Sequence, residues 1–235
     1  MKTYRDEAVV LRSLRYGEAD RILHLQTRQH GRISAISKGV RRTRSRLGGR
    51  LEPLSHVQVH LHRGSGEMQT LVNADLVASF DAIRADEGRL RVALTGAEAV
   101  LKLFPEAAGN ERLFDGLVRF LDVVAHDEPR EATAIAFVLK LVALAGWAPQ
   151  VSSCASCGSP GPLTGYSVSA GGAVCDNCGG TALDPASLAA LRELLGRPLG
   201  EAAAPGEAAL ARIRKIASET VAEHSGARLR TLGVL

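Results

Sequence analysis

The sequence predicts an α+β protein, in which a small five-stranded barrel is followed by a helical domain that carries a four-cysteine zinc lobe. Three observations predict this class. From Ala8 to about Val77, apolar residues recur with period two, as on strands that place one face in a core. After Phe80 the period lengthens to three and four residues, which indicates helices. Two C-x2-C pairs then mark a compact lobe.

The period-two region divides into five short runs separated by glycine-bearing turns. The runs cover residues 8–14, 21–27, 32–38, 57–62 and 68–77. Five strands within about 75 residues suit a small closed barrel, and an OB-type barrel has this strand count. The sequence leaves the order of the strands open.

The fourth predicted strand carries three histidines on one face. By parity, His56, His60 and His62 lie opposite the apolar residues at 57, 59 and 61. We interpret these histidines as the polar face of the strand. Contact with nucleic acid or a metal is the alternative.

The remainder of the chain has the spacing of five helices. Apolar positions predict helices over residues 90–104, 113–124 and 131–145, a fourth from residue 185 and a fifth after residue 206. Asn110 and Asp184 are candidate N-caps, and Gly146 is a candidate stop. We therefore predict a barrel over residues 1–80 and a helical domain over residues 81–235, with the lobe inserted at about 150–181.

All four cysteines of the chain lie in two pairs, Cys154-x2-Cys157 and Cys175-x2-Cys178. In a reducing cytosol such pairs are more often metal ligands than disulfides. A two-residue gap lets both sulfurs point to one side, so two pairs supply a tetrahedron. Four thiolates leave no position for water or substrate, which predicts one structural Zn²⁺ ion. A redox-active pair is the alternative, although such a site needs only one pair.

The charge of the chain is concentrated in its N-terminal third. Residues 1–80 contain 14 Lys/Arg against 7 Asp/Glu, whereas residues 81–235 contain 15 against 18. Between the third and fourth strands, residues 38–50 carry six cations and no acid. These cations, which we call the basic segment, are Lys38, Arg41, Arg42, Arg44, Arg46 and Arg50.

A run of this kind repels itself unless an anion is present, and phosphates are the obvious counterpart. Arginines on the neighbouring strands extend the candidate surface: Arg12, Arg15, Arg21, Arg28 and Arg32. Few aromatic residues occur in the first 80 positions, which favours tracking of the phosphate backbone over base stacking. A solvated surface loop is the alternative interpretation.

Motifs of nucleotide hydrolysis and metal-dependent proteolysis are absent. The sequence has no G-x-x-x-x-G-K-[ST] loop, no G-x-G-x-x-G after a strand and no H-E-x-x-H. The acidic residues of the first 80 positions are scattered rather than gathered around a catalytic metal. We expect no enzymatic activity. The opening residues lack the apolar run of a signal peptide, and Lys140 interrupts the longest apolar stretch, so we expect a cytoplasmic protein without membrane association.

The order of these features resembles the RecO family of bacterial recombination mediators. The resemblance spans the chain and rests on AVVLRSLRYGEADRIL (8–23), GRISAISKGVRR (31–42), LEPL (51–54) and FVLKLVALAGWAP (137–149), which runs into CASCG. It implies an N-terminal OB domain, binding to single- and double-stranded DNA, annealing of complementary strands and a nucleoid-associated location. It also implies a complex with RecR that helps RecA replace single-strand-binding protein (SSB).

The resemblance assigns the DNA contact to the basic segment and the zinc ligands to the four cysteines. Some family members lack these cysteines, so it implies a stabilising role for zinc. It places the contact with the SSB tail in the helical domain without fixing residues. Two rival interpretations stay open: an RNA-binding or ribosome-associated zinc protein, and an adaptor whose basic segment meets an acidic protein.

Overall fold

A computed structural model of the chain describes residues 2–42, 45, 47–64, 66, 68–105, 109–128 and 130–234. The chain packs into two compact units that are each discontinuous in sequence. The first comprises Met1–Asp86 with Phe104–His126, and the second comprises Glu87–Leu103 with Asp127–Leu235. The predicted boundary near residue 80 marks the change from strands to helices. The two units are instead groups of segments that pack together.

The first unit contains the predicted five-stranded barrel. Its strands are β1 (Lys2–Tyr16), β2 (Asp20–Thr27), β3 (Gly31–Ser37), β4 (His56–Arg63) and β5 (Gln69–Ala78). Their order is β1-β2-β3-β5-β4, and pairing of β1 with β4 closes the barrel. Only the β3–β5 pair is parallel among these strands. The prediction of a closed five-stranded barrel is confirmed.

The barrel interior takes the apolar members of each alternating run. On β4, Val57, Val59 and Leu61 are fully buried and point inward, so the residues between them face outward. The remaining core residues are Ala8, Val10, Leu23, Leu25, Ile33, Ala35, Val40, Leu51, Leu71 and Ala74. This core holds the strand register, because a slip by one residue would expose every inward side chain.

Six α-helices lie in the described part of the chain. They are α1 (Asp81–Ala85), α2 (Glu87–Leu103), α3 (Glu111–His126), α4 (Glu131–Val142), α5 (Pro185–Gly196) and α6 (Glu207–Ser225). Both predicted caps are present, since Asn110 Oδ1 accepts from Leu113 N at 3.0 Å and Asp184 Oδ1 accepts from Ser187 N at 2.9 Å. None of the helices described is long and apolar enough to span a membrane.

Helix α3 belongs to the barrel unit and is joined to it by Arg28. The Arg28 guanidinium donates to Glu7 at 2.8 Å and to Asp115 of α3 at 2.7 Å, and it lies 4.6 Å from the Phe114 ring centroid. Just before the helix, a Cβ at Gly109 would overlap the carbonyl oxygen of Gln29. Only glycine permits so close an approach of two backbones.

Helix α4 is the centre of the second unit. Ten of its twelve residues are buried, as expected for a helix that is apolar on all sides. The two partly exposed residues, Glu131 and Lys140, are both charged, and the Lys140 Nζ donates to the Leu195 carbonyl oxygen at 2.8 Å. The helix continues into a π-type turn, Ala143–Trp147, in which Gly146 has a φ of 96°. This conformation agrees with the predicted stop at Gly146.

A small sheet forms the cysteine lobe of the second unit. Its strands β6 (Leu163–Ser167), β7 (Gly172–Cys175) and β8 (Thr181–Ala182) have the order β7-β6-β8. The lobe is joined to α5 and α6 by two arginines: Arg192 donates to Val151 O at 2.6 Å, and Arg212 donates to Ala182 O at 2.9 Å.

Candidate metal centre and nucleic-acid interface

The four cysteine sulfurs converge on one point of the lobe. All four Sγ atoms lie within 4.8 Å of one another, and those of Cys157 and Cys175 are 3.7 Å apart. A tetrahedron with metal–sulfur distances of about 2.3 Å has edges of about 3.8 Å. The thiols are free rather than bridged. The cluster therefore has the dimensions of a four-thiolate metal site.

Both cysteine pairs end in a chain reversal at a glycine. Each pair is followed by a glycine with positive φ, 76° at Gly158 and 74° at Gly179. The Gly158 amide donates to Cys154 O at 2.9 Å, which closes the first turn. Because L-residues rarely adopt this φ, glycine lets the chain reverse immediately after the second sulfur of each pair.

The protein environment favours thiolate at one sulfur and opposes it at another. Backbone amides, first that of Cys157 and then that of Cys175, lower the pKa of Cys154 to about 6. Hydrogen bonding to the other three thiols, first that of Cys157, raises the pKa of Cys178 to about 12. Four adjacent thiols cannot all ionise without a counter-charge, and a divalent cation supplies it. This chemistry fits a structural metal.

The basic segment starts at a fixed position beside the β1–β2 turn. The Gly39 amide donates to Asp20 Oδ1 at 2.7 Å, and the Arg41 amide donates to Ala19 O at 2.9 Å. Between them, the side chain of Val40 is buried in the barrel core. These anchors hold the first part of the segment in place and leave its cationic side chains outside.

Four of the six predicted phosphate-contacting residues lie in the described chain. Lys38, Arg41 and Arg42 are exposed, and none of the carboxylates described pairs with them. Arg50 instead donates to Ala74 O at 2.8 Å and to Asp75 at 3.1 Å on β5. Arg44 and Arg46 lie outside the described residues. The structure thus presents three clustered cations and shows Arg50 engaged with the barrel.

The arginines on neighbouring strands divide into two groups. Arg21 pairs with Glu52 at 3.1 Å, and Arg28 joins the barrel to α3. Arg12 and Arg15 are exposed on β1. Register places Arg12 opposite His24 of β2, whose pKa is lowered first by burial and then by Arg12 and Arg32. The outer face of β1–β3 around His24 is therefore cationic.

Comparison with known proteins identifies the family to which this chain belongs. The family "Recombination protein O N terminal" matches residues 1–80, and "Recombination protein O C terminal" matches residues 84–233. The chain belongs to the RecO family. A relative, the DNA repair protein RecO of Rubrobacter xylanophilus, is 39% identical over 234 residues, which cover 96% of this chain and 93% of the relative.

Membership of the RecO family confirms the resemblance drawn from the sequence and gives the chain a role in DNA repair and recombination. Family membership does not identify the residues that contact DNA, so the basic segment stays a prediction. The described cysteine cluster fits zinc in its donor set and its dimensions.

One site residue differs from the expectation for its strand. His56 was expected on the polar face of β4, but only 7% of its side chain is exposed. Its Nε2 lies 2.9 Å from Glu7 Oε1, and its ring packs edge-on against Phe114 with centroids 5.6 Å apart. The alternation along β4 placed His56 on the correct face of the strand. The residue is buried because α3 covers the end of that face where it lies. His60 and His62 remain partly exposed.

Proposed function

We propose that this RecO family member is a non-enzymatic mediator that binds single- and double-stranded DNA and anneals complementary single strands. Annealing requires that phosphate repulsion be screened while the bases remain free to pair. A cluster of cations with little aromatic surface suits that task, because tight stacking would hide the bases. The observation that carries the proposal is the exposed trio Lys38, Arg41 and Arg42 within the described basic segment, with which none of the described carboxylates pairs.

The aromatic residues of the barrel support charge-based binding. Tyr4 packs on His30 with ring centroids 4.4 Å apart, and its hydroxyl donates to Gln69 at 2.7 Å. Phe80 is half-buried. Tyr16, which is 54% exposed, is the one large exposed aromatic side chain of the described barrel strands. A single stacking platform favours backbone tracking over sequence reading.

The proposal includes the partners that the family resemblance implies. The chain would act with RecR, help RecA replace SSB during gap and double-strand-break repair, and contact the SSB tail through its helical domain. It would work in the cytoplasm in association with the nucleoid. No residue of this chain is assigned to these partners.

We also propose that one zinc ion fills the cysteine cluster and acts as a structural staple. The segment from Cys154 to Cys178 has one carboxylate, Asp176, and no Lys or Arg. A lobe without cations has little to attract a phosphate backbone. Zinc held by Cys154, Cys157, Cys175 and Cys178 would instead stabilise a small sheet that has little core of its own.

Charge reversal in the basic segment tests the proposal. We expect Arg41→Glu, Arg42→Glu and Arg44→Glu together to abolish strand annealing and to weaken DNA retention at low salt. Six phosphate contacts on a single strand give a slope of about −4 for log affinity against log salt. Loss of three contacts would reduce it to about −2. The measurements are fluorescence anisotropy across a salt series and an annealing assay with complementary oligonucleotides.

A matched triple variant separates this effect from net charge. Arg91, Arg112 and Arg228 are exposed and lie outside the barrel strands, so their reversal to Glu changes the total charge equally. We expect that variant to retain annealing. Wild-type annealing by the basic-segment variant would contradict the proposal. Tighter binding of folded RNA than of single-stranded DNA in a competition assay would favour an RNA-binding protein.

A further inference from the structure

The outer face of β1, β4 and β5 contains a polar recess that is separate from the exposed cations of the basic segment. It has a volume of about 80 Å³, enough for several water molecules. Its walls come from three strands, and it is lined by Arg5, Gln58, Val59, His60, Asn73 and Asp75.

The strand register explains why these side chains converge. Arg5 of β1 is paired with His60 of β4, which is paired with Asn73 of β5. In the next outward row, Gln58 of β4 is paired with Asp75 of β5. Cross-strand neighbours of this kind have Cβ atoms about 5 Å apart. The two rows therefore present their polar groups to one small space.

An irregularity of β5 shapes the recess. The register of β4 against β5 shifts between His60 and Leu61, where Val72 is the extra residue of β5. Such bulges bend a strand and re-aim its side chains, and they are common beside functional sites. Val72 is 52% exposed at this point. The bend thus places an apolar side chain next to the polar rows.

The charges of the recess leave one cation uncompensated. Asp75 is paired with Arg50 at 3.1 Å and also accepts from Asn73 at 3.4 Å. Arg5 is exposed, and no described carboxylate pairs with it. The recess therefore offers one free cation, two carboxamides, an imidazole and an already paired carboxylate. This mixture suits a ligand that has both an anionic group and an edge of donors and acceptors.

We propose that the recess is a subsite for one unpaired nucleotide of single-stranded DNA. Carboxamides form paired hydrogen bonds with base edges, and an arginine plane or an imidazole stacks on a base or meets a phosphate. In a duplex the Watson–Crick edges are occupied, so this subsite selects single strands, and because it holds one nucleotide the neighbouring bases stay free to pair. The proposal rests on the proposed function, and it gives the barrel a contact that distinguishes single from double strands.

Removal of the two carboxamides tests the subsite without changing charge. We expect Gln58→Ala with Asn73→Ala to weaken binding of a single-stranded oligonucleotide about tenfold, the effect of losing two hydrogen bonds. Duplex affinity and the salt dependence of binding should stay at wild-type values, because no phosphate contact is removed. Both residues are exposed, and a thermal melt verifies that the variant is folded.

The controls separate failure of this inference from failure of the proposed function. Gln29→Ala removes an exposed carboxamide elsewhere on the barrel and should bind both DNA forms normally. If the double variant binds single strands normally, or loses single and double strands equally, the subsite is wrong. A folded double variant that binds single strands normally but loses a protein ligand would also overturn it. If the wild-type protein itself retains no DNA, the proposed function fails.

Discussion

At the scale of single residues, burial governs the protonation of His56. The ring lies between Glu7 and Phe114, and its pKa is lowered first by burial, with the Glu7 carboxylate opposing that effect. Because burial outweighs the carboxylate, the neutral imidazole is the folded form near neutral pH. The pKa of His24 is lowered in the same direction, again first by burial. Both histidines therefore bind protons less readily in the folded protein than in the unfolded chain.

This difference predicts a loss of stability in mild acid. The contribution of His56 is fully present above the unfolded pKa of about 6.5 and is lost as the pH falls through the lower folded pKa. We expect His56→Gln to make the free energy of unfolding less dependent on pH between about 7.5 and 5.5, by at most about 1.4 kcal/mol per pH unit. Urea unfolding at several pH values measures it. Identical pH profiles for variant and wild type would contradict this assignment.

At the scale of elements, the start of α3 depends on the cap at Asn110. Its side-chain oxygen accepts from the Leu113 amide at 3.0 Å, which satisfies one of the free amides of the first turn. The helix then contributes Phe114, which packs against His56, and Asp115, which pairs with Arg28. A local capping interaction therefore supports a contact between a helix and the barrel within the same unit.

We predict that Asn110→Ala lowers the free energy of unfolding by about 1 kcal/mol, because the first turn of α3 loses its cap. Asn110→Ser keeps a side-chain oxygen that can accept from the same amide, so it should retain most of the stability. Chemical denaturation of the two variants and the wild type gives the comparison. Equal loss in both variants would show that the side chain acts through packing rather than through the cap.

The elements also show how far local pattern determines the fold. The alternation of apolar residues predicted five strands, and the cap residues predicted where α3 and α5 begin. The alternation missed the first part of β1, because residues 2–7 are mostly polar. Asp6 is nevertheless buried there, and its Oδ2 lies 2.6 Å from His30 Nδ1. The grouping of α3 with the barrel depends on long-range contacts of Arg28 and Gly109, which have no periodic signal.

The candidate sites also differ in how far the sequence predicts them. The convergence of the four cysteines was predictable residue by residue, because a two-residue gap lets both sulfurs of each pair point to one side. The basic segment was recognisable by composition, yet the engagement of Arg50 with Asp75 was not, since residues 25 apart reveal no pairing. The recess gave no sequence signal at all. It depends on the register of three strands and on one bulge.

At the scale of the whole molecule, the barrel and the cysteine lobe depend on different forces. The barrel unit has a contiguous apolar core, whereas the lobe of the second unit has three short strands and four converging thiols. Binding of zinc to such sites contributes about 10–16 kcal/mol at pH 7. If zinc is a staple, metal removal should therefore unfold the lobe and leave the barrel able to bind DNA.

Trp147 makes this prediction measurable within one chain. It is the single tryptophan, it lies in the second unit directly before the lobe, and it stacks on His224 with ring centroids 4.3 Å apart. We expect Cys157→Ser with Cys178→Ser, or chelation of the wild type, to release one zinc ion per chain and to change the tryptophan fluorescence. DNA affinity measured by anisotropy should stay unchanged in the same samples.

Loss of DNA binding with an intact barrel, judged by the circular dichroism of its strands, would instead make the lobe part of the DNA-binding surface. Because the lobe carries no Lys or Arg between its cysteines, we expect the first outcome.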